Sequence, residues 1–246
     1  MATSNAPAAA CCNRHVFTVL LREAVRATPR TRLLRLDLPD ASFVFRAGQA
    51  VMAGLSGAPA RSAYSIASPP SLAARGGLEL LVPADGAFGD PGLDPASAVG
   101  RSLALDGPIG GFGVPAAAGG APLLLIGGGT GIAPLRAVAL DRLEGDGAAA
   151  ITLVYSARTA DEFAFATEFD GLQQEGRLRF HKTVTRDVPA PGGYSRSGRI
   201  DEGLLAAVLP GPDAWCLVCG PAGFVGAVTA SLVGLGVAAE RIVVER

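Results

Sequence analysis

The sequence predicts a two-domain protein in which an antiparallel β-barrel precedes an α/β domain with a parallel sheet. Its 246 residues suffice for two domains of about 100–130 residues, each with its own core. Between residues 16 and 112, short apolar or alternating runs separated by turn residues favour a closed or nearly closed barrel. After a linker rich in Gly, Ala and Pro at Gly113–Pro122, strands alternate with helices, which favours a parallel sheet covered on both faces. We therefore place the domains at residues 16–116 and 117–246, after a flexible leader at residues 1–15.

Each predicted element is bounded by turn or breaker residues, such as Asp85-Gly86 and Asp106-Gly107-Pro108. The strands of the first domain are Val16–Leu21, Leu33–Leu38, Ala50–Leu55, Ser62–Ser68, Leu78–Val82 and Ser102–Leu105. Those of the second domain are Leu123–Ile126, Ile151–Tyr155, Leu178–Val184, Trp215–Val218 and Ile242–Val244. The helices are Pro134–Leu143, Asp161–Glu175, Asp201–Leu209 and Val225–Leu235. Parallel sheets of this kind bind ligands beyond the carboxyl ends of their strands, and the glycine-rich segments of the second domain fall there.

Composition and charge exclude several classes of function. Apolar residues make up 49% and charged residues 17% of the chain, which is typical of a globular protein. Lys and Arg total 21 against 22 acids, so no overall field favours nucleic acid or an anionic membrane. No apolar run reaches the roughly 18 residues that a membrane-spanning helix needs. Ala8–Cys11 is similar to a lipoprotein cleavage site but follows neither a basic start nor an apolar core, so we expect a cytoplasmic protein.

The four cysteines do not predict a metal site. Cys11 and Cys12 lie in the predicted leader, whereas Cys216 and Cys219 form a C-x-x-C within a predicted buried strand. Residues three apart on a strand point to opposite faces, so these two thiols are not expected to share a metal ion or a disulfide. The C-x4-C-x2-C spacing of plant-type iron–sulfur clusters is also missing. We expect neither a metal nor a cluster.

A glycine-rich loop follows the first strand of the second domain. Gly127-Gly128-Gly129-Thr130-Gly131-Ile132-Ala133-Pro134 lets the backbone approach a diphosphate, and the next helix offers unpaired N–H groups. Pro134 suits the first helical turn, where a missing N–H costs nothing. After the second strand the first charged residue is Arg158, where NAD-specific sites carry an acid, and a guanidinium there suits a 2′-phosphate. The alternative is a surface arginine that pairs with Asp161 or Glu162.

Six segments in order resemble the ferredoxin–NADP reductase superfamily, and together they cover nearly the whole chain. They are Phe45-Arg46-Ala47-Gly48-Gln49, Arg61-Ser62-Ala63-Tyr64-Ser65, Gly107–Phe112, Gly127–Pro134, Cys219-Gly220-Pro221 and Ile242–Arg246. The second resembles the family's R-x-Y-S flavin motif, the fourth its pyrophosphate loop and the fifth its C-G-P motif. The resemblance implies a flavin-binding barrel followed by a nucleotide-binding α/β domain.

The resemblance also implies roles for single residues. Arg61 would bind the flavin diphosphate, Tyr64 would stack on the isoalloxazine, and Ser65 would lie near flavin N5. Cys219 would orient the nicotinamide, and Glu245 would position the cysteine and the ring or simply cap the final strand. Ser65, Cys219 and Glu245 are thus the predicted catalytic residues. The predicted cofactor-binding residues are Arg61, Ser62, Ala63, Tyr64, Ser65, Gly86, Gly89, Gly127, Gly128, Gly129, Thr130, Gly131, Pro134, Arg158, Thr185, Arg186, Arg199, Cys219, Gly220 and Pro221.

Three arginines bear on whether the nucleotide is NADPH or NADH. His181–Arg186 and Ser197-Gly198-Arg199-Ile200 resemble the T/S-R…G-R-I pattern of bacterial NADP-linked members. In that pattern both arginines, with a third at the position of Arg158, surround the adenosine 2′-phosphate. The resemblance therefore implies NADPH, although NADH-using relatives keep parts of the pattern.

Two departures from the family concern the flavin. Gly86-Ala87-Phe88-Gly89 stands where the family usually has G-x-x-S or G-x-x-T, so one side-chain donor to a flavin phosphate is missing. This puts the choice of FAD over FMN in doubt. Many relatives end in an aromatic that covers the second flavin face, whereas here Arg246 follows Glu245 directly. That face is expected to be open or partly covered by Arg246.

The implied function is an NADPH-dependent FAD flavoprotein reductase. Its electrons would pass to an external acceptor such as a ferredoxin, a flavodoxin or an oxygenase component, since no cluster is expected within the chain. One alternative is an NADH-linked flavin or ferric reductase. Another is a non-autonomous electron-relay subunit of a larger complex.

Overall fold

A computed structural model of the protein describes residues 16–145, 150–186 and 196–245. The leader and Arg246 therefore lie outside the described residues. In the described ranges an antiparallel sheet of six strands is followed by a parallel sheet of six strands. The fold class predicted from the sequence is thereby confirmed.

The first sheet forms a barrel. Its strands are β1 Val16–Thr28, β2 Thr31–Asp37, β3 Ala50–Leu55, β4 Ser62–Ser65, β5 Gly77–Pro83 and β6 Ser102–Ile109, in the spatial order β4-β3-β6-β1-β2-β5. An antiparallel bridge between Ile66 and Leu80 joins the two edges of the sheet. Strand β1 is longer than predicted because its first residues pair with β6 and its later residues pair with β2. A short helix, α1 Pro70–Ala74, links β4 to β5 and was not predicted.

The second sheet carries helices on both faces. Its strands are β7 Leu123–Gly128, β8 Ile151–Ala157, β9 Arg179–Val184, β10 Arg196–Ser197, β11 Trp215–Cys219 and β12 Ile242–Val244. Their spatial order is β10-β9-β8-β7-β11-β12, and all pairs are parallel. The helices are α2 Ile132–Glu144, α3 Ala166–Gln174, α4 Glu202–Val208 and α5 Ala222–Gly234. None of the helices in the described ranges is both long and apolar enough to span a membrane.

The single helix predicted over Asp161–Glu175 is wrong. The segment contains a 3₁₀ turn at Ala160–Glu162 and then α3, which begins only after Phe165. Phe165 has a φ of 61°, a left-handed conformation that interrupts a right-handed helix. The preceding Ala164 donates its N–H to the Tyr155 hydroxyl at 3.3 Å, so burial of this segment takes precedence over helix formation.

The two domains share an apolar interface. Ala47, Ala67, Leu81 and Phe112 of the barrel belong to the same buried cluster as one face of the parallel sheet. A second cluster fills the barrel, and a third lies on the other face of the parallel sheet. Because one core crosses the boundary, the barrel and the parallel sheet are packed as one body around the cleft between them.

Arg136 of α2 adds a polar link within this interface. Its side chain is 10% exposed and its Nη1 donates to Glu79 Oε2 at 2.7 Å and to the Ala67 carbonyl at 2.8 Å, both in the barrel. Within its own domain, Nε and Nη2 donate to the two oxygens of Glu168 at 2.5 and 3.0 Å. Burial alone would lower the pKa of the Arg136 guanidinium. The hydrogen bonds and charges of Glu168 and Glu79 outweigh this effect and raise the pKa above its ordinary value, so the group stays charged. This arginine therefore ties the helix that follows the glycine-rich loop to the barrel wall.

Candidate active site in the interdomain cleft

A carboxylate connects the two domains at the centre of the cleft. Glu245 follows β12, Cys219 ends the neighbouring β11, and Ser65 ends β4 of the barrel. Glu245 Oε1 accepts a hydrogen bond from Ser65 Oγ at 2.9 Å, and Oε2 accepts one from Cys219 Sγ at 2.6 Å. The structure thus brings together the three residues predicted to be catalytic.

The position of Glu245 follows from the parallel sheet. Strands β11 and β12 end at the same edge, and the Glu245 N–H donates to the Val218 carbonyl at 3.2 Å. The carboxylate therefore extends past the sheet edge toward the barrel, where Ser65 lies. A prediction that Glu245 merely caps its strand does not account for its two side-chain partners.

Cys219 is a buried hydrogen-bond donor to Glu245. Burial raises the pKa of the Cys219 thiol, and the adjacent Glu245 carboxylate raises it further. The thiol is therefore neutral at physiological pH and carries the proton that Glu245 accepts. Only the thiolate is a strong nucleophile, so the site favours an orienting role for this sulfur.

The two cysteines of the C-x-x-C segment point to opposite faces of β11, as predicted. Cys216 packs in the cluster on one face of the sheet and Cys219 in the cluster on the other. Burial raises the pKa of Cys216 to about 12. Within residues 16–145, 150–186 and 196–245, no three His, Cys, Asp or Glu side chains come together in a way that could hold a metal ion.

A cleft of about 480 Å³ opens beside Ser65 and Glu245, a size usual for cofactor pockets of about 300–1,000 Å³. It is lined by Gly48, Ala50, Ala63, Ser65, Ile109, Gly110, Gly111, Phe112, Val243, Val244 and Glu245. A Cβ atom placed on Gly110 or Gly111 would meet no atom within 4 Å, so a larger side chain there would project into open space. Both glycines therefore leave this part of the cleft lining without side chains.

The segment Arg61–Ser65 does not present all its side chains to this cleft. Ala63 and Ser65 line it, but Tyr64 points into the barrel, is 8% exposed and packs edge-to-face on Phe88. The Tyr64 hydroxyl accepts a hydrogen bond from the Phe88 N–H at 2.8 Å. The Tyr64 ring is therefore directed away from this cleft, and no contact in the structure tests its predicted stacking on an isoalloxazine.

The strand register explains the orientation of Tyr64. It pairs with Val51, and Ser62 pairs with Ala53, and both partners are buried in the barrel. Arg61 precedes Tyr64 by three residues, so the two side chains leave opposite sides of the extended chain. Ser62, which precedes Tyr64 by two residues, shares its side. The three-residue separation is visible in the sequence and could have indicated this.

Gly89 lies where a serine or threonine would be strained. Its φ is +79°, and a Cβ atom there would lie 3.0 Å from both the Arg61 nitrogen and the Ala60 Cβ. Gly86 and Phe88 also have positive φ values, +76° and 59°. The loop thus turns tightly against the chain at Arg61, and glycine at position 89 permits that approach. Gly86, Gly89 and Arg61 are therefore brought to one end of the barrel.

The glycine-rich loop lies directly against the C-G-P segment. A Cβ atom on Gly131 would be 2.3 Å from the Cys219 carbonyl oxygen, and one on Gly128 would be 3.1 Å from the Phe224 ring. Gly129 has a φ of +58° and faces open space. Gly129–Gly131 form a 3₁₀ turn that leads into α2. Pro134 is the third residue of α2, within its first turn as predicted.

A second cleft, of about 560 Å³, extends over this loop. It is lined by Arg30, Gly128, Gly129, Thr130, Ser156, Ala157, Arg158, Glu162, Thr185, Gly220, Pro221 and Phe224. The predicted residues Thr130, Arg158, Thr185, Gly220 and Pro221 therefore share one cleft. Its position beyond the carboxyl ends of β7, β8 and β11 is the ligand-binding position of an open parallel sheet.

The backbone places the three predicted arginines at neighbouring strand ends. The Arg186 N–H donates to the Arg158 carbonyl at 2.9 Å, and the Gly198 N–H donates to the Val184 carbonyl at 2.7 Å. Arg158, Arg186 and Arg199 thus follow β8, β9 and β10 in turn, and all three side chains are exposed.

Arg30 and the ion pair it forms with Glu162 were not predicted. Arg30 lies in the barrel, yet its Nε is 2.9 Å from Glu162 Oε1 in the second domain. Glu162 was considered only as a partner for Arg158. No sequence signal links Arg30 to Glu162, more than 130 positions later in the chain, because only the packing of the two domains brings them together.

Comparisons with known proteins identify relatives of this chain. The family model described as "Oxidoreductase NAD-binding domain" matches residues 125–230. Ferredoxin–NADP reductase B of Sorangium cellulosum is 32% identical over 193 residues, which cover 74% of this chain and 72% of that protein. The ferredoxin–NAD(+) reductase component of the alkene monooxygenase system of Xanthobacter autotrophicus is 30% identical over 195 residues, covering 78% of this chain and 57% of that protein.

Among solved structures, the cytochrome P450 reductase GcoB of Amycolatopsis superposes with a TM-score of 0.82 at 28% identity, covering 94% of this chain and 69% of that one. Among eight curated relatives, the chain spans from 31% to 72% of the relative's length, and for seven of them this share is below two thirds. The identity to the Sorangium protein extends over most of both sequences and includes both the barrel and the parallel sheet. The chain therefore belongs to the ferredoxin–NADP reductase superfamily.

Proposed function

We propose that this chain is an NADPH-dependent flavoprotein reductase that uses FAD and delivers electrons to an external acceptor. The observation that carries the proposal is the Ser65–Glu245–Cys219 connection, which spans the cleft between the barrel and the nucleotide loop. A bound FAD would supply the redox chemistry, taking a hydride from the nicotinamide and passing electrons to the acceptor. The protein supplies binding, orientation and exclusion of water.

The residues along the first cleft fit a flavin. The opening at Gly110 and Gly111 accommodates a flat ring, and Ser65 presents a hydroxyl to it. At the other end, the loop Gly86–Gly89 lies against the chain at Arg61, so a diphosphate bound there would be within reach of the Arg61 guanidinium. Tyr64 supports this wall from inside the barrel by holding the Phe88 backbone. We assign the isoalloxazine no aromatic partner from Arg61–Ser65.

Glu245 would align the flavin side of the cleft with the nicotinamide side. Its carboxylate holds the Ser65 hydroxyl and the Cys219 thiol in fixed orientations, one from each domain. Such preorganisation keeps the nicotinamide side of the cleft aligned with the flavin side, so that little reorganisation is needed during reaction. Cys219, with its raised pKa, remains a neutral donor throughout.

The arrangement of Arg158, Arg186 and Arg199 supports a 2′-phosphate and hence NADPH. Three exposed guanidinium groups at the ends of adjacent strands would offer several charge-assisted hydrogen bonds to one phosphate. The names of the relatives include both a ferredoxin–NADP and a ferredoxin–NAD(+) reductase. NADH is therefore the alternative that experiment must separate.

The acceptor is proposed from the relatives' names, which specify a ferredoxin in two cases and a cytochrome P450 in a third. We propose a separate electron-carrier protein or an oxygenase component of this kind.

Anaerobic mixing of the FAD-loaded protein with NADPH and, separately, with NADH tests the function directly. We expect the flavin absorbance near 450 nm to bleach with NADPH at a rate well above that with NADH, because only NADPH engages the arginines. Stopped-flow absorbance gives both rates. A protein that binds flavin but bleaches with neither nucleotide would refute the proposal and favour a relay subunit without turnover of its own.

Arg186→Ala tests the nucleotide preference. Removing a charge-assisted contact worth about 1.5–3 kcal/mol should raise the Kd for NADPH by about 10- to 150-fold, whereas the Kd for NADH should change little. Arg179→Ala is the matched control, because Arg179 lies at the opposite end of the same strand β9. Equal losses for both nucleotides in Arg186→Ala would exclude a 2′-phosphate role.

A further inference from the structure

Arg30 belongs to the barrel but lines the nucleotide cleft of the other domain. It lies in the turn between β1 and β2, and it borders the cleft together with Gly129, Thr130 and Arg158. It also borders a smaller cavity of about 230 Å³ beneath the same loop, again with Gly129 and Thr130. The barrel therefore brings a cation to the glycine-rich loop.

The backbone of Arg30 is held firmly by hydrogen bonds. Its N–H donates to Thr28 Oγ1 at 3.2 Å, and its carbonyl accepts from the Ala84 N–H at 2.9 Å. Thr28 Oγ1 and Thr31 Oγ1 are 2.7 Å apart, which closes the turn. A ligand would therefore meet a guanidinium on a preorganised base, and binding would cost little loss of backbone freedom.

The guanidinium also neutralises the acid that lines this cleft. Glu162 Oε1 is 2.9 Å from Arg30 Nε, and the Glu162 side chain is 17% exposed. A phosphate entering the cleft would be repelled by this carboxylate unless a cation lay beside it. Arg30 pairs with Glu162 through Nε and its side chain remains 53% exposed, so the guanidinium stays accessible to an anion that enters the cleft.

From these contacts we infer that Arg30 is a nucleotide-binding residue that donates to the pyrophosphate of a dinucleotide held at Gly128–Gly131. The inference rests on the proposed function, since it assumes that the cleft binds a nicotinamide dinucleotide. The pyrophosphate is the part of the ligand concerned because Gly129 and Thr130 border both cavities that Arg30 lines. Arg30 therefore serves NADH and NADPH alike, in contrast to the arginines after β8, β9 and β10.

The test compares Arg30→Ala, Glu162→Gln and the control Arg26→Ala, which removes an exposed arginine from the same hairpin. Calorimetry with ADP-ribose, which has the pyrophosphate but no 2′-phosphate, should give a Kd about tenfold weaker for Arg30→Ala. The Kd values for NADH and NADPH should rise by the same factor. Arg26→Ala should bind like the unaltered protein.

Glu162→Gln distinguishes a phosphate ligand from a simple link between the domains. It removes the ion pair but leaves Arg30 in place and takes a negative charge out of the cleft, so binding should be unchanged or tighter. Equal weakening by Arg30→Ala and Glu162→Gln, or unchanged binding to Arg30→Ala, would overturn the inference.

ADP-ribose binding requires no flavin reduction, so the result of this test does not depend on whether the protein is a reductase. If the unaltered protein binds ADP-ribose but neither NADPH nor NADH bleaches its flavin, the proposed reductase function is refuted. The role of Arg30 as a phosphate ligand would then still stand. Normal bleaching together with unchanged ADP-ribose binding by Arg30→Ala would refute only the role of Arg30.

Discussion

Arg136→Met is expected to lower the free energy of unfolding by about 1–3 kcal/mol. The substitution removes the donor to Glu79 Oε2 and to the Ala67 carbonyl, although Glu79 keeps its ion pair with Arg35 at 3.2 Å. A buried acceptor that loses its donor costs free energy, whereas methionine keeps much of the apolar stem. At roughly 2–4 °C per kcal/mol for a protein of this size, the midpoint of thermal unfolding should fall by about 2–12 °C. Differential scanning calorimetry measures it.

Two comparisons separate the missing ion pair from a general packing defect. In a double-mutant cycle, Arg136→Met combined with Glu79→Gln should lose less stability than the two single substitutions added together, because their shared ion pair can be lost only once. Arg177→Met removes an arginine whose ion pair with Glu175 is largely exposed, and it should change stability by less than about 1 kcal/mol. If Arg136→Met were as stable as Arg177→Met, the interdomain tie would contribute nothing measurable.

Glu245→Gln should slow flavin reduction by about 10- to 150-fold. The carboxylate accepts from both Ser65 Oγ and Cys219 Sγ, but an amide has only one oxygen, so one donor would face an NH₂ group instead. Losing one hydrogen bond to a charged group costs about 1.5–3 kcal/mol, which corresponds to that range of rates. Stopped-flow reduction at saturating NADPH isolates this step from nucleotide affinity.

The control is Glu240→Gln, at an exposed acid just before β12. It makes the same chemical change without touching the cleft, so its reduction rate should match that of the unaltered protein. A positioning role also predicts that Glu245→Gln affects the rate far more than the Kd for NADPH. Reduction within twofold of the unaltered rate would show that the bridge across the cleft is not used.

Local sequence patterns were enough to predict most of the secondary structure. Apolar runs bounded by turn residues located the strands, because alternation and breaker residues act over a few neighbours. The glycine-rich loop could be placed between β7 and α2 for the same reason. The opposite orientations of Cys216 and Cys219 followed from the two-residue period of a strand, and the structure confirms them. The helix predicted across Phe165 failed because burial of Ala164 beneath Tyr155 overrode local helix propensity.

Contacts between distant segments were decided only by the tertiary structure. Ser65 and Glu245 are 180 residues apart, and without the family resemblance nothing in their local sequence would have paired them. The direction of Tyr64 depends on its pairing with Val51 inside a closed barrel, and the reach of Arg30 to Glu162 depends on how the two domains pack. The physical reason is that backbone preferences act over a few residues, whereas the cleft is formed by burial and hydrogen bonding between segments that only the folded chain brings together.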